Sequence, residues 1–308
     1  MNHLILQALS TFSEYGSEPL DLLRDSGLEC VFNTTGRRAK REELMEWGAR
    51  CTGVIAGVEP YDAEVMDAMP NLRCISRCGV GVDSIDLDAA RERGIVVRNT
   101  PAVVVRPVVE LTVGMIFDLM RRLSLHTGRL RARRWEKVGG NLLMGKTVGI
   151  LGMGMIGRAV ADMLTRLDAR VIGYDVSPDT AWAERAGVAM LSETEVLGRA
   201  DILCLHMSIL ADNPFLLDAA KIAAMKDGAW VVNTSRGSLI DDVALAAAID
   251  AGKLSGAALD VFPQEPYAGP LCDLENVVLT PHVATLTRES RLQMETEAVA
   301  NLLEELNL

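Results

Sequence analysis

Three polar residues in the second half of the chain stand where strands should end: Arg236 after VVNTS, Glu265 after the run closing on DVF, and His282 after VVLTP. Their types suit carbonyl reduction. A guanidinium holds a 2-oxo acid by its carboxylate and polarises the carbonyl beside it, a histidine supplies the proton, and a carboxylate orients that histidine and stabilises its protonated form. Taken singly, each has a plainer reading: Arg236 as a surface ion-pair partner, Glu265 as a loop carboxylate, His282 as a helix cap. Taken together, they require loops distant in sequence to meet at one edge of a sheet.

The stretch KTVGILGMGMIGRAVADMLTRLDARVIGYD, Lys146 to Asp175, supplies such a sheet. It reads as strand, glycine turn, helix and second strand, the signature of a nucleotide-binding βαβ unit. Gly152, Gly154 and Gly157 have the GxGxxG spacing. The first permits the tight turn, the second lets backbone approach a pyrophosphate, and the third lets the helix lie close on the strand. Unpaired N–H groups of a helix starting near Met155 face the anion. Asp175, at the end of VIGYD, is placed to accept hydrogen bonds from both ribose hydroxyls of NAD and to repel a 2′-phosphate, so NAD is expected over NADP. The runs ADILCLHM, AWVVNTS, GAALDVF and NVVLTPHV then continue the sheet, each ending at the carboxyl edge where ligands gather.

Because 145 residues precede this unit, another domain comes first. Leu4–Ala8, Val31–Asn33, Gly53–Ala56, Cys74–Arg77 and Ile95–Arg98 read as short strands, separated by helices at Glu18–Ser26, Lys40–Trp47 and Asp62–Ala68. The pattern predicts an α/β chain with two doubly wound parallel sheets, the first smaller. A long helix, Pro107–Leu123, carries the chain into the nucleotide domain, with Pro107 in its first turn. An acidic amphipathic helix, Arg288–Leu308, returns to the first domain. The expected division is 1–98 with 288–308 for substrate, and 99–287 for the nucleotide.

Composition narrows the setting. With 308 residues, 49% of them hydrophobic, the chain buries a full core, and its net charge of −11 argues against nucleic acid or an anionic membrane as partner. The basic run Arg129–Arg134 is an exception, read equally as a solvated helix end or a phosphate contact. No run approaches the length that spans a bilayer, and MNHLILQALSTF reads as a first core strand rather than a signal, so a cytoplasmic protein is expected. Cys30, Cys51, Cys74, Cys78, Cys204 and Cys272 lack zinc spacing despite the Cys74/Cys78 pair. They read as buried free thiols, and no metal site is expected.

Four ordered motifs resemble the D-2-hydroxyacid dehydrogenases, nearest the 3-phosphoglycerate dehydrogenase branch: RCGVGVDSIDLDAARERGIVVRNTP, GKTVGILGMGMIGR, NTSRGSLIDDVALAAAIDAGKLSGAALDVFPQEP and LTPHVA. The resemblance implies a Rossmann domain beside a flavodoxin-like one, NAD as cofactor, and Arg236, Glu265 and His282 as the catalytic set. It also implies that backbone N–H groups at Val80 and Gly81 hold the substrate carboxylate and that Asp260 holds the nicotinamide carboxamide. Met155, Ile156, Met207, Thr234 and the segment from His282 to Thr285 then line the cofactor. Its first indication of substrate is the 3-phosphoglycerate pair, with Arg77 as a phosphate contact.

Some positions depart from the family pattern. An arginine common in that branch is replaced by Gly57, HxPxT becomes His206-Met207-Ser208-Ile209-Leu210, and Arg106 enters the segment before Glu110, as an anion contact or as a solvent-facing cap. A reductase of an unphosphorylated 2-oxo acid is therefore the alternative within the family, and an NADH-sensing corepressor the alternative outside catalysis. The family also implies a homodimer, through the helix near Arg106–Leu123, and no regulatory module is expected after Leu308.

Overall fold

Short apolar runs bounded by glycine, proline or charge form two sheets, every pairing of which is parallel, among residues 3–208 and 216–307, the residues described by the computed structural model. They belong to two units, Met1–Val104 with Thr285–Leu308, and Val105–Ala284. The first holds β1 (Leu4–Gln7), β2 (Glu29–Phe32), β3 (Gly53–Ala56), β4 (Cys74–Arg77) and β5 (Val96–Arg98), in the order β2-β1-β3-β4-β5. β3 and β4 have the bounds read from sequence. β2 begins two residues before the expected Val31, because Glu29 to Phe32 pair in register with Leu4 to Gln7. A further helix, Leu87–Glu92, separates β4 from β5 in the alternating pattern, and it begins where the Asp86 side chain accepts Ala89 N–H at 2.9 Å.

The helix Arg288–Leu306 belongs to this first unit. Gly53 makes room for it, since a Cβ there would lie 2.7 Å from Leu302 Cδ1. Ser76 Oγ donates to the Ala298 carbonyl at 2.7 Å, Asn301 to the Asn99 carbonyl at 3.2 Å, and Arg98 pairs with Glu305 at 2.9 Å.

The second unit holds β6 (Thr147–Leu151), β7 (Arg170–Tyr174), β8 (Ala189–Met190), β9 (Ile202–Leu205), β10 (Ala229–Asn233), β11 (Leu254–Leu259) and β12 (Val277–Leu279). Their order is β12-β11-β10-β9-β6-β7-β8. Along β9, Leu203 and Leu205 join one apolar cluster while Ile202 and Cys204 join another, so helices cover both faces and the strands read as unbroken apolar runs. The expected helix from Pro107 to Leu123 spans Val105–Arg121 and stops at Arg122, which adopts φ 54°, before a second helix, Leu123–Arg131. Within the basic run, Arg131, Arg133 and Arg134 are exposed, whereas the half-buried Arg129 guanidinium bridges Glu136 at 3.2 Å and Glu275 at 3.3 Å.

Cys51, Cys74, Cys78 and Cys204 are buried, and desolvation pushes the Cys74 and Cys204 thiols up to about 12. Cys30 is half-buried and Cys272 exposed, so the expectation of buried thiols fails at those two. Among the described residues no helix is long and apolar enough to cross a membrane, and no cluster of His, Cys, Asp and Glu could hold a metal ion.

Leu302, fully buried against the first sheet, tests how the returning helix contributes. Leu302→Ala is expected to lower stability by about 2–5 kcal/mol in urea unfolding of the full chain. Exposed Glu304→Ala should stay within about 0.5 kcal/mol.

Candidate active site

Strand register builds the site in the second unit. Leu279, Leu259, Asn233, Leu205, Leu151 and Tyr174 are direct partners across β12, β11, β10, β9, β6 and β7. One residue further along each strand, at the carboxyl edge, stand Thr280, Asp260, Thr234, His206, Gly152 and Asp175. From Asp175 to Asp260 are four strand spacings, about 19 Å at ~4.8 Å each. Strand order reverses between β6 and β9, so Gly152 stands at the topological switch point.

The glycine turn fits a bound dinucleotide. Gly152 adopts φ 95°, and a Cβ there would lie 2.6 Å from the His206 carbonyl carbon. Gly157 can carry no side chain, because its Cβ would overlap the Gly152 carbonyl. Gly154, the N-cap of the helix Met155–Arg166, has nothing within 4 Å of its Cβ position, which leaves the approach to the helix N-terminus open. Met155 is exposed, and Ile156 half-buried. Asp175 accepts Met153 N–H at 2.7 Å and Ser177 N–H at 2.8 Å, and both bonds fix its carboxylate beside the turn.

Arg236 is held by the backbone on both sides. Asn233, at the end of β10, accepts Ser235 N–H at 3.0 Å and donates to the Arg236 carbonyl at 2.8 Å. A Cβ on Gly237 would overlap the backbone of Phe262, so only glycine lets this turn press against the segment that leads to Glu265. Arg236 Nη1 donates to the Ser235 carbonyl at 2.8 Å. Thr234 is buried, its hydroxyl 2.9 Å from that of Thr112, and Ser235 Oγ donates to the Met207 carbonyl at 3.1 Å. Ile209 and Leu210 of the altered HxPxT segment lie outside the described residues.

Glu265 and His282 meet. His282 Nδ1 lies 2.9 Å from Glu265 Oε2, and Glu265 Oε1 accepts Phe262 N–H at 3.2 Å. The Glu265 loop is braced by the stacked rings of Phe262 and Tyr267, 4.3 Å apart, and by the Tyr267 hydroxyl donating to Asp242 at 2.8 Å. His282 adopts φ 54°, a left-handed conformation that costs a non-glycine residue roughly 1–3 kcal/mol. Asp260 holds it there: its carbonyl accepts His282 N–H at 2.8 Å. The fully buried carboxylate of Asp260 accepts Thr280 Oγ1 at 2.5 Å, Val283 N–H at 2.8 Å and Ala284 N–H at 2.8 Å. Sequence reasoning assigned Asp260 to the nicotinamide carboxamide and missed this grip on the histidine loop. It also missed Asn233 and Thr280, whose only signals were their places beside the TSRG and PH motifs. Thr285 follows as the first residue of the segment that returns to the first unit.

In the first unit the loop after β4 has a different pattern. Arg77 Nε donates to the Gly81 carbonyl at 3.0 Å and Nη1 to the Cys78 carbonyl, while Asn99 donates to the Val80 carbonyl at 2.9 Å. With the carbonyls turned to these side chains, the Val80 and Gly81 N–H groups have no partner among the described residues, as a carboxylate-binding nest requires. Arg77 therefore braces the loop through two of its donors. At Gly57, where the branch pattern has an arginine, the buried Glu59 carboxylate accepts the backbone N–H at 2.7 Å, and a Cβ would lie 2.8 Å from Glu59 Oε2. Burial raises the Glu59 carboxyl above its usual range. Arg106 is exposed and pairs with Glu110 at 2.5 Å, the solvent-facing alternative.

Two measurements probe these arrangements. Asp260→Asn sets an amide against the Val283 and Ala284 N–H groups; it should lower turnover roughly 100-fold, the scale of a 1 Å misplacement, while NADH affinity by fluorescence titration stays within about threefold. His206 has both ring nitrogens out of solvent and without a hydrogen-bond partner among the described residues, and burial lowers its pKa to about 4 from 6.5. A histidine held neutral by the fold contributes stability that is complete above about pH 6.5 and lost as pH falls toward 4. His206→Leu should flatten that acid slope in thermal melts, by at most roughly 3 kcal/mol.

A sequence profile described as "D-isomer specific 2-hydroxyacid dehydrogenase, NAD binding domain" matches residues 113–284. A D-3-phosphoglycerate dehydrogenase of Archaeoglobus fulgidus is 36% identical over 282 residues, 90% of this chain and 53% of that protein. A glyoxylate reductase of Thermofilum pendens is 38% identical over 256 residues, 80% of this chain and 75% of that one. The chain thus spans about half the length of the Archaeoglobus enzyme. A solved structure of a Thermus thermophilus protein superposes with a TM-score of 0.90 and 36% identity, covering 99% of this chain and 97% of that one. Profile, identity and fold agree: the chain belongs to the D-isomer specific 2-hydroxyacid dehydrogenase family.

Proposed function

We propose that the protein interconverts a D-2-hydroxy acid and its 2-oxo acid with NAD. The contact between His282 Nδ1 and Glu265 Oε2 carries this reading. A carboxylate only accepts, so Nδ1 carries the proton and Nε2 is the nitrogen left for substrate. As imidazolium, His282 gives its Nε2 proton to the carbonyl oxygen during reduction; as neutral imidazole, it takes the hydroxyl proton during oxidation. Glu265 steadies the charged form, and Arg236 polarises the carbonyl and pairs with the acid group. When bound, NADH supplies the hydride that reduction consumes.

For the acid itself, the first-unit loops favour an unphosphorylated substrate. Two Arg77 donors serve its own loop, and a carboxylate fills the Gly57 position. The second reading, a 3-phosphorylated acid, is favoured by relatives named D-3-phosphoglycerate dehydrogenase. A pure NADH sensor has no use for the His282–Glu265 pair.

NADH consumption with glyoxylate, hydroxypyruvate, pyruvate, 2-oxoglutarate and 3-phosphohydroxypyruvate tests these readings. At least a tenfold preference in kcat/KM for an unphosphorylated acid is expected; preference for the phosphorylated one selects the second reading. His282→Ala should lose about 10²–10⁴-fold in turnover and keep NADH binding. Silence of the wild-type chain across the panel despite NADH binding would overturn the enzymatic reading in favour of the sensor.

A further inference from the structure

The carboxylate that ends β7 has a neighbour of opposite charge one residue away. Met153 N–H donates to Asp175 at 2.7 Å, and the Met153 carbonyl accepts Arg158 Nε at 2.8 Å, so Asp175 and Arg158 bracket one residue of the glycine turn. A guanidinium in that place is the group that takes a phosphate by paired hydrogen bonds. Here Arg158 is engaged elsewhere: Nη1 donates to Asp179 Oδ2 at 2.8 Å, and the guanidinium lies over the Trp182 ring, 5.4 Å from its centroid. The other oxygen of Asp179 accepts Trp182 N–H at 3.0 Å and caps the helix Thr180–Ala186. Asp179 thereby ties Arg158 to the start of that helix.

We propose that Asp179 is a second determinant of NAD over NADP: by pairing with Arg158 it withdraws the counter-charge that a 2′-phosphate would need, while Asp175 repels that phosphate directly. Arg158 and the two carboxylates leave this corner with one net negative charge. Removing the Asp179 charge makes the corner neutral, and removing both carboxylate charges makes it positive. Met153 continues to hold Arg158 beside the ribose position in either case. The inference rests on the NAD reading of the glycine turn and is independent of which acid is the substrate.

The test is the binding of NADH and NADPH to the full chain, by fluorescence titration without any acid. Asp179→Asn keeps an oxygen to cap the helix and removes only the charge. It is expected to tighten NADPH binding roughly fivefold, the effect of one unit charge a few ångströms away in water, and to leave NADH within about twofold. The same gain should appear again in an Asp175→Ser background, and should vanish when Arg158→Gln is added. An unchanged NADPH-to-NADH ratio in both backgrounds, or a gain that survives Arg158→Gln, would overturn the proposal. Failure of the wild-type chain to bind NADH would overturn the cofactor reading on which it stands, and is told apart from the other failures by the wild-type titration alone.

Discussion

The buried carboxylate of Asp260 is the interaction on which the chemistry depends. A charge taken out of water costs several kcal/mol unless it is fully hydrogen-bonded, and Asp260 finds its donors on one segment, Thr280, Val283 and Ala284. Those bonds turn the chain after β12 sharply enough to put His282 at positive φ. The same solvation demand that fixes the carboxylate thus fixes the backbone that carries His282. Glu265 then needs only to reach Nδ1 from a loop already braced by the Phe262–Tyr267 stack.

The cofactor end obeys a steric constraint instead of an electrostatic one. Gly157 lies against the Gly152 carbonyl and Gly237 against Phe262, so at both places backbone meets backbone without a Cβ between. Close packing of helix on turn leaves the N–H groups ahead of Met155 facing outward, and register carries the row of strand ends from there to Asp260. Geometry set by a parallel sheet is insensitive to surface sequence, so the cofactor end follows from the fold itself.

What was legible in the sequence follows the same division. Period and punctuation marked β3 and β4 to the residue, and the motifs marked Glu265 and His282 as residues that meet. The bonds from Thr280, Val283 and Ala284 to Asp260 were not legible, because a sequence shows that an acid ends a strand but not which loop folds over it. The bonds of Arg77 were hidden for the same reason: nothing in SRCGVG says that the guanidinium donates to the Cys78 and Gly81 carbonyls. The helix end was expected at Leu123, two residues beyond Arg121, and what hid its position is that neither glycine nor proline marks the left-handed Arg122.

The loops of the first unit carry a different kind of information. The Val80 and Gly81 N–H groups, without a partner among the described residues, would suit in the proposed reaction the carboxylate shared by every 2-oxo acid. Discrimination among acids must come from side chains around it, and here a buried glutamate stands where a cation would serve a phosphate. A carboxylate beside a phosphate subsite would oppose binding by like charge, whereas beside a hydroxyl or a hydrogen it costs nothing. The strand ends and backbone turns are thus set by the parallel sheets, while the charges on these loops are ones the fold leaves free to vary.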